Sequence, residues 1–420
     1  MNILYIAHRI PYPPNKGDKI RSFNEIKHLS ASHNVDLVCL ADSADDLKYK
    51  SNLQKYCRRV FVQHFKISQA KLRGLVSLIK GKAISVGYFY SKKIQQVVDR
   101  WMSGTTYDAV ICFSSPMAEY VLNQSTNHLI NHSTKTIMDF CDVDSEKWLQ
   151  YSQKSKFPLN LIYRIENKRL LEYEKKINRS FDNSIFVSQQ EADLFYRLFP
   201  EAENVFVIEN GVDLEYFSQL VTRNQQPVTS NQQPTLLFTG AMDYWANVDG
   251  VLWFCEKIFP IVKDRYPKVQ FYIVGSSPNT EIQKLGHNNK SINITGFVED
   301  IRPYYKEADV CVIPLRIARG IQNKVLEAMS MGKAVVTTSA AVQSIKATPG
   351  EHLLVEDNSD KFVEAVFRLL ENNTLRNYLG TNARQFVKSN YNWQTNMKKF
   401  DKLIYGFEFS ATNDTNEHKY

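Results

Sequence analysis

No stretch of this 420-residue chain holds the run of about 18 apolar residues that a bilayer-crossing helix needs. The start, MNILYIAHRIPYPP, carries an apolar run too short for a secretory leader and is broken by Pro11, Pro13 and Pro14, so it reads as a buried first strand. Cysteine is sparse: six residues, with no CxxC pair and no histidine at metal-ligand spacing. That excludes a disulfide framework and the common zinc modules, and leaves reduced core thiols of a cytosolic protein. Acids are missing where they are least expected. Between Leu47 and Val98 there is not one, against twelve Lys and Arg.

The net charge of +8 is accordingly one-sided. Residues 1–210 carry 29 Lys and Arg against 22 Asp and Glu, and residues 211–420 carry 23 against 22. Within the acid-free stretch, ISQAKLRGLVSLIKGKAI sets Leu72, Leu75, Val76 and Ile79 near one helical face, with Lys71, Arg73, Lys80 and Lys82 beside them. Two readings fit. One is a helix lying on an anionic membrane surface, which makes residues 47–98 a docking region. The other is an ordinary core helix with a solvated basic face. Nucleic acid is not indicated, since no zinc-finger spacing, RNP-type strand or helix-turn-helix signal accompanies the charge.

Short apolar runs alternate with helical stretches from end to end, the pattern of parallel sheets built from βαβ units. Strands are expected at 3–7, 35–40, 59–65, 108–113, 135–140, 184–188 and 205–210. A second series follows at 235–240, 269–275, 292–297, 309–315, 333–338 and 352–357. The Gln/Asn/Pro-rich segment VTRNQQPVTSNQQPT separates the two series and lacks apolar period. The fold class is therefore α/β, with two doubly wound, Rossmann-like domains facing each other across a cleft. The expected organisation is a domain over 1–220, a linker over 221–234 and a second domain over 235–390. A helix over 391–409 then crosses back to the first domain, and the tail 410–420 is polar and disordered.

RGIQNKVLEAM is the stretch richest in chemistry. Gly320 permits close backbone approach, and a helix beginning near Gln322 presents unsatisfied N–H groups suited to a phosphate. Lys324 stands in the first turn, against the preference of the helix dipole, which an anion facing it would explain. Glu327, one turn on, can accept from two adjacent hydroxyls at once. A plain surface helix with a Lys–Glu pair fits the same residues. In MDFCDVDSEKW, Asp139, Asp142 and Asp144 lie near the end of a strand. Asp142 is a candidate base or hydroxyl acceptor, while Asp144 is placed to cap the helix beginning at Ser145.

Five segments in order carry a resemblance: VIENGVDLEYF, LLFTGAMDYWANVDGV, FYIVGSSP, INITGFVEDIRPYYKEADVCVIPL and KVLEAMSMGKAVVTT. Together they resemble the donor domain of family 4 glycosyltransferases of the GT-B architecture. With MDFCDVDSEKW and FVSQQEADLF, the chain is similar to the sugar transferases of bacterial exosortase-linked exopolysaccharide systems. The resemblance implies a hexosyltransferase acting on a nucleotide-diphosphate sugar as co-substrate, with no other cofactor and no metal, and with retention at the anomeric carbon. The expected acceptor is a glycan or lipid-linked surface polysaccharide, and the basic first domain is expected to dock the protein, peripheral and cytoplasmic, on the inner face of the cytoplasmic membrane.

Carried over residue by residue, Glu327 matches the ribose-binding glutamate, and Gly296, Phe297 and Val298 match the segment that receives the base. Gly17 matches the glycine loop after the first strand, while Asn210 and Gly240 fall in matching donor-side segments. Asp142 stands where many relatives carry the aspartate of a His-Asp pair; here the pair is Cys141-Asp142. Two departures weigh on catalysis. Arg319 replaces the family's first glutamate, and Ala241 and Asn247 stand near the places of its arginine and lysine. Arg316, Arg319 and Lys324, with Arg302 nearby, are candidates to replace those cations, Lys324 in a catalytic role. A non-catalytic nucleotide-sugar binder, a GT-B epimerase and a plain polyanion-binding module are the competing readings.

Overall fold

The computed structural model describes residues 1–127, 129–218 and 233–406. Almost all of the expected linker and the whole of the expected tail lie outside these residues. The chain forms two compact units: one comprises Met1–Phe186, Glu191–Ile208 and the chain from Gln394, the other Val187–Gln190 and Glu209–Trp393.

In the first unit, β1 (Asn2–Ala7), β2 (Asn34–Ala41), β3 (Arg59–His64), β4 (Ala109–Phe113), β5 (Lys135–Cys141), β6 (Asn183–Phe186) and β7 (Val205–Val207) make one sheet. Its order is β3-β2-β1-β4-β5-β6-β7, with every pairing parallel. Parallel strands need helical crossovers, so both faces are covered, and the central strand β4 is apolar throughout, every residue from Ala109 to Phe113 being buried. The strand order reverses between β1 and β4, the place where such sheets open to a ligand. His8, one residue beyond β1, stacks on Phe113 at the end of β4, with ring centroids 5.8 Å apart.

Helix α1 (Gly17–Leu29) buries charge as well as apolar side chains. Arg21 Nε lies 2.7 Å from Asp139 of β5 and 3.0 Å from Glu25, one turn on, and all three side chains are at most 1% exposed. Tyr5 donates to Glu25 at 2.6 Å, and Arg21 donates to the Ile208 carbonyl at 2.7 Å. The cluster thus ties β1, β5 and the residue just past β7 to α1. The last helix, Trp393–Tyr405, belongs with this unit from Gln394 onward; its Asp401 meets His28 of α1 at 2.8 Å.

Helix α2 (Ile67–Ile79) is turned the opposite way from an ordinary core helix. Its inner face is Ala70, Gly74 and Ser77, and small side chains there let α3 (Ile84–Phe89) approach closely. A Cβ on Gly87 would lie 1.9 Å from Ser77 Oγ. Its outer face exposes Leu72 (64%), Leu75 (53%) and Ile79 (77%). Leaving such side chains in water forgoes about 1.5–3 kcal/mol each relative to full burial. The core-helix reading of this segment therefore fails, because the small residues, not the large ones, face the protein.

Helices α4 (Asp144–Lys154) and α5 (Leu159–Ser180) form a hairpin. Asp144 does not cap α4, contrary to the expectation from sequence. It is the first residue of the helix and pairs with Lys147 at 2.8 Å, while Glu174 of α5 accepts from the Ser145 N–H at 3.1 Å. The helix begins one residue earlier than expected, and its first carboxylate turns to the cation one turn away, so the local cap is lost.

In the second unit, β8 (Thr235–Thr239), β9 (Gln270–Val274), β10 (Ile292–Gly296), β11 (Val310–Ile313), β12 (Ala334–Thr337) and β13 (Leu354–Val355) run in the order β10-β9-β8-β11-β12-β13. All pairings are again parallel. The reversal lies between β8 and β11. Around it stand α6 (Trp245–Trp253), α7 (Arg302–Glu307) and α8 (Asn323–Ser330). Among the described residues, no helix is long and apolar enough to cross a membrane.

Candidate functional site

At the reversal point of the second sheet, three elements bring their ends together. β8 finishes at Thr239 and gives way to Gly240; α8 begins after Gln322; α6 contributes Asn247. Lys324, in the first turn of α8, reaches back and donates to Asn247 Oδ1 at 2.5 Å. Asn247 is itself fixed, donating through Nδ2 to the Ala241 carbonyl at 2.8 Å. The ammonium also lies 5.0 Å from the centroid of the Phe238 ring. Gly240 makes the room: a Cβ there would stand 2.8 Å from Asn247 Nδ2 and 3.1 Å from Lys324 Nζ. Burial lowers the Lys324 pKa to about 8, with the nearby Glu327 carboxylate opposing the shift.

Glu327 is oriented by a relay of hydroxyls. Tyr305 of α7 donates to Glu327 Oε2 at 3.2 Å, and Thr239 Oγ1 lies 3.0 Å from the same hydroxyl. Since the Tyr305 proton is committed to the carboxylate, Thr239 is the donor in the second contact. Burial raises the Glu327 pKa, while Tyr305 and Lys324 hold it down. The carboxylate keeps Oε1 for another donor.

The start of α8 has no side-chain cap. Gln322 turns instead to the Arg319 carbonyl, donating at 2.8 Å. The loop before it passes through Gly320 with φ of +58°, left-handed backbone that favours glycine. Asn210, buried, donates to Asn323 at 3.3 Å, which ties the NGVD segment to the first residue of the helix. Gly296, at φ +70°, ends β10 and turns the chain so that Phe297 is exposed while Val298 packs on the core.

Two of the candidate cations are held by other partners. Arg316 is exposed and held by Asp249 through two bonds of 3.0 and 2.5 Å. Arg302 is gripped by Asp300 at 2.7 Å and stacks on Tyr216, its guanidinium 4.3 Å from the ring centroid. Arg319 is half-buried in the loop ahead of α8. Lys324 shares one contact network with Gly240 and Asn247.

Gly17 and Asp142 belong to the first unit. Gly17 is the exposed first residue of α1. Asp142 follows Cys141, whose φ of +63° bends the chain out of β5, and Asp139 Oδ1 braces that bend by accepting from the Cys141 N–H at 2.9 Å. Asp142 meets Lys147 at 3.1 Å. Burial alone would lower the Lys147 ammonium, but Asp144 and Asp142 hold its pKa well above the ordinary value. Beyond β1, Asp18 joins His8 at 3.2 Å and Arg9 at 2.8 Å, and these partners hold its carboxyl far below the usual range despite burial.

Sequence reasoning missed Tyr305 and Thr239, which lie 22 and 88 positions before Glu327 on other elements. It saw Asn247 only as the absence of a lysine. No spacing rule links a residue on α6 to one on α8, although a first-turn lysine against the helix dipole pointed to half of the pair.

Residues 233–372 match the family model described as glycosyl transferases group 1. Over 400 residues the chain is similar, at 22% identity, to an uncharacterized 44.6 kDa protein in the cps region of Klebsiella pneumoniae, covering 93% of this chain and 96% of that one. It is 25% identical over 216 residues to the UDP-Gal:alpha-D-GlcNAc-diphosphoundecaprenol alpha-1,3-galactosyltransferase of Escherichia coli, which covers 49% of this chain and 54% of that enzyme. Among solved structures, the sucrose-phosphate synthase of Thermosynechococcus elongatus superimposes with a TM-score of 0.73 at 16% identity, over 97% of this chain and 98% of that one. Anabaena Alr3699/HepE in complex with UDP does so with a TM-score of 0.66 at 17% identity, over 97% and 100%. The second unit therefore contains a group 1 glycosyltransferase domain, and the chain is a glycosyltransferase of the GT-B fold.

Proposed function

We propose that this glycosyltransferase moves a sugar from a nucleotide-diphosphate sugar to a glycan or lipid-linked acceptor, with retention and without a metal ion. The observation that carries the donor half is the Lys324–Asn247 pair beside Gly240, at the reversal point of the second sheet. As the glycosidic bond breaks, charge grows on the departing diphosphate. A fixed cation with two free donor directions, together with the uncapped N-terminus of α8, meets that charge without reorganising. Glu327, held by Tyr305, receives the ribose hydroxyls through Oε1. The exposed Phe297 and the backbone from Gly296 to Val298 receive the base. Asn210, Gly320 and Arg319 shape the loop around the diphosphate. Arg316 contributes only if Asp249 releases it.

The acceptor half draws on similarity. The Escherichia coli relative's name specifies a diphosphoundecaprenol-linked acceptor, and the Klebsiella pneumoniae relative lies in a cps region. Asp142, bent out of the carboxyl end of β5, takes the acceptor hydroxyl as base or hydrogen-bond acceptor. Gly17 leaves the start of α1 open to the donor or acceptor. The basic, acid-free residues 47–98 hold the protein on the inner face of an anionic membrane, where a lipid-linked acceptor resides.

The test is calorimetric titration with UDP, GDP and dTDP, followed by a transfer assay with the matching labelled sugar nucleotides and a lipid-linked glycan. Saturable binding of one nucleotide and glycosylated lipid that survives EDTA are expected. Binding without turnover would favour the non-catalytic reading, for which the engagement of Arg316 by Asp249 already speaks. Isomerised free nucleotide sugar would point to an epimerase.

A further inference from the structure

The outward face of α2 is not the only apolar surface that the first unit leaves uncovered. At the turn between α4 and α5, Phe157 (79%), Leu159 (49%) and Leu161 (52%) are exposed. This turn repeats the charge pattern of the α2 region. From Lys147 to Ile165 there is no acid, and Lys154, Lys156 and Arg164 flank the apolar residues. The two surfaces are joined by a short set of polar contacts. Arg169 of α5 donates to the carbonyls of Leu78 and Lys82, at 2.7 and 3.3 Å, just where α2 ends. Glu166, fully buried, accepts from the Ile84 and Ser85 N–H groups and so caps α3 from α5.

We infer that the first unit inserts into an anionic lipid bilayer at two points, the outer face of α2 and the α4–α5 turn. This rests on the membrane half of the proposed function and deepens it, from charge attraction over a broad basic stretch to insertion of named side chains. On α2, Leu72, Leu75, Val76 and Ile79 enter among the acyl chains while Lys71, Lys80 and Lys82 stay among the headgroups. At the turn, Phe157 and Leu161 insert, with Lys154 and Lys156 at headgroup level. A bilayer fits better than a protein groove for two reasons. Both apolar surfaces are flanked by cations, of which Lys82 also pairs with Glu119 at 3.4 Å, so an anionic partner suits the rim. Both are also convex, being a helix face and a turn, which a soft apolar phase accommodates and a second folded surface would have to be carved to match. The polar contacts through Arg169 and Glu166 make the two points one rigid unit, so each limits the tilt that the other permits.

Flotation of the full chain with phosphatidylglycerol/phosphatidylethanolamine vesicles tests this, with phosphatidylcholine vesicles as the neutral control. Two double variants are compared with the parent: L75D/I79D for α2 and F157D/L161D for the turn. The parent floats with the anionic vesicles. Each double variant loses affinity on the order of tenfold or more, while its UDP affinity, read in the same preparations, stays unchanged. Three results would overturn the proposal. If only L75D/I79D loses affinity, the second insertion point is wrong. If neither variant does, and high salt alone releases the parent, docking is electrostatic; the peripheral-membrane reading then stands without insertion. If the parent ignores vesicles but is a dimer that L75D/I79D converts to monomer, the occupant of the face is a second copy of this chain.

Discussion

Lys324 and Asn247 approach to 2.5 Å across the end of β8, and a side chain at Gly240 would collide with both. One lysine therefore occupies the space in front of β8, and it comes from α8 rather than from the helix that follows β8 directly. Replacing it separates catalysis from stability. Lys324→Met is expected to lower kcat by on the order of 10²–10³-fold, the range for loss of one fixed donor to a charged transition state. Thermal stability is expected to hold or rise, since the substitution removes an ammonium that burial disfavours. Steady-state kinetics with a melting curve on the same protein checks both halves. A variant that melted early and kept its turnover would place Lys324 in the scaffold.

With Lys324 facing the donor diphosphate as proposed, its depressed pKa predicts a direction in pH for donor binding. In the free protein the ammonium is lost as pH rises through about 8. A bound diphosphate favours the charged form, so binding takes up a proton above that pH, and UDP affinity falls tenfold per pH unit there. Folding follows the opposite sign. The unfolded lysine, near its ordinary value, holds its proton up to higher pH than the folded one. This group's contribution to stability therefore rises with pH from about 8 towards 10.5. Calorimetry across that window should show affinity and stability moving apart, and Lys324→Met should flatten both trends.

Tyr305 is expected to act through Glu327 and to touch no substrate. Tyr305→Phe removes one hydrogen bond to the carboxylate and leaves Thr239 without its acceptor. At about 1 kcal/mol for a lost hydrogen bond, UDP binds roughly fivefold more weakly. The conserved volume keeps the fold intact. A 2′-deoxy nucleotide supplies the readout that a merely structural role would not move: it should lose affinity against the parent protein and lose little more against the variant.

Arg21 holds Asp139 and Glu25 in the core of the first unit with almost no exposure. Arg21→Met strands two carboxylates and is expected to destabilise this unit by about 3–5 kcal/mol. Replacing all three charges by apolar residues of similar volume should recover most of that loss, because the desolvation cost disappears with them. Urea unfolding followed by the near-ultraviolet signal of Trp101 and Trp148, with the other tryptophans replaced, isolates this unit. An arginine variant as stable as the parent would mean that Glu25 and Asp139 share a proton and need no cation.

Most of the architecture was legible because parallel strands are buried on both faces and stand out as apolar runs between helical periods. ILYIA and DVCVIPL needed no partner to be recognised. The strand order, 3-2-1-4-5-6 with an added seventh in the first unit, was not written in any local pattern. It follows from right-handed crossovers packing over both faces. At the site, Lys324 could be read because it violates a helix-dipole preference, and Glu327 because VLEAM carries the resemblance. Asn247, Tyr305 and Thr239 are ordinary residues whose roles arise only when α6, α7 and β8 meet. The Asp144 cap failed because the helix begins one residue early and Asp144 turns to Lys147, neither of which a local pattern shows. Helix α2 showed how a periodic pattern gives a face without giving its direction.

The Lys324–Asn247 contact also constrains how this protein could ever change. An ammonium at 247 would meet the one already supplied from 324, and losing the lysine at 324 first would remove the cation that stands in front of β8. Neither single step is neutral, although the doubly exchanged protein would carry the same charge in the same place. The two positions are thus one unit of inheritance, and a double-mutant cycle across them should show strong favourable coupling between changes that are each harmful alone. Transplanting a donor site between this chain and a relative built the other way would have to move α6 and α8 together.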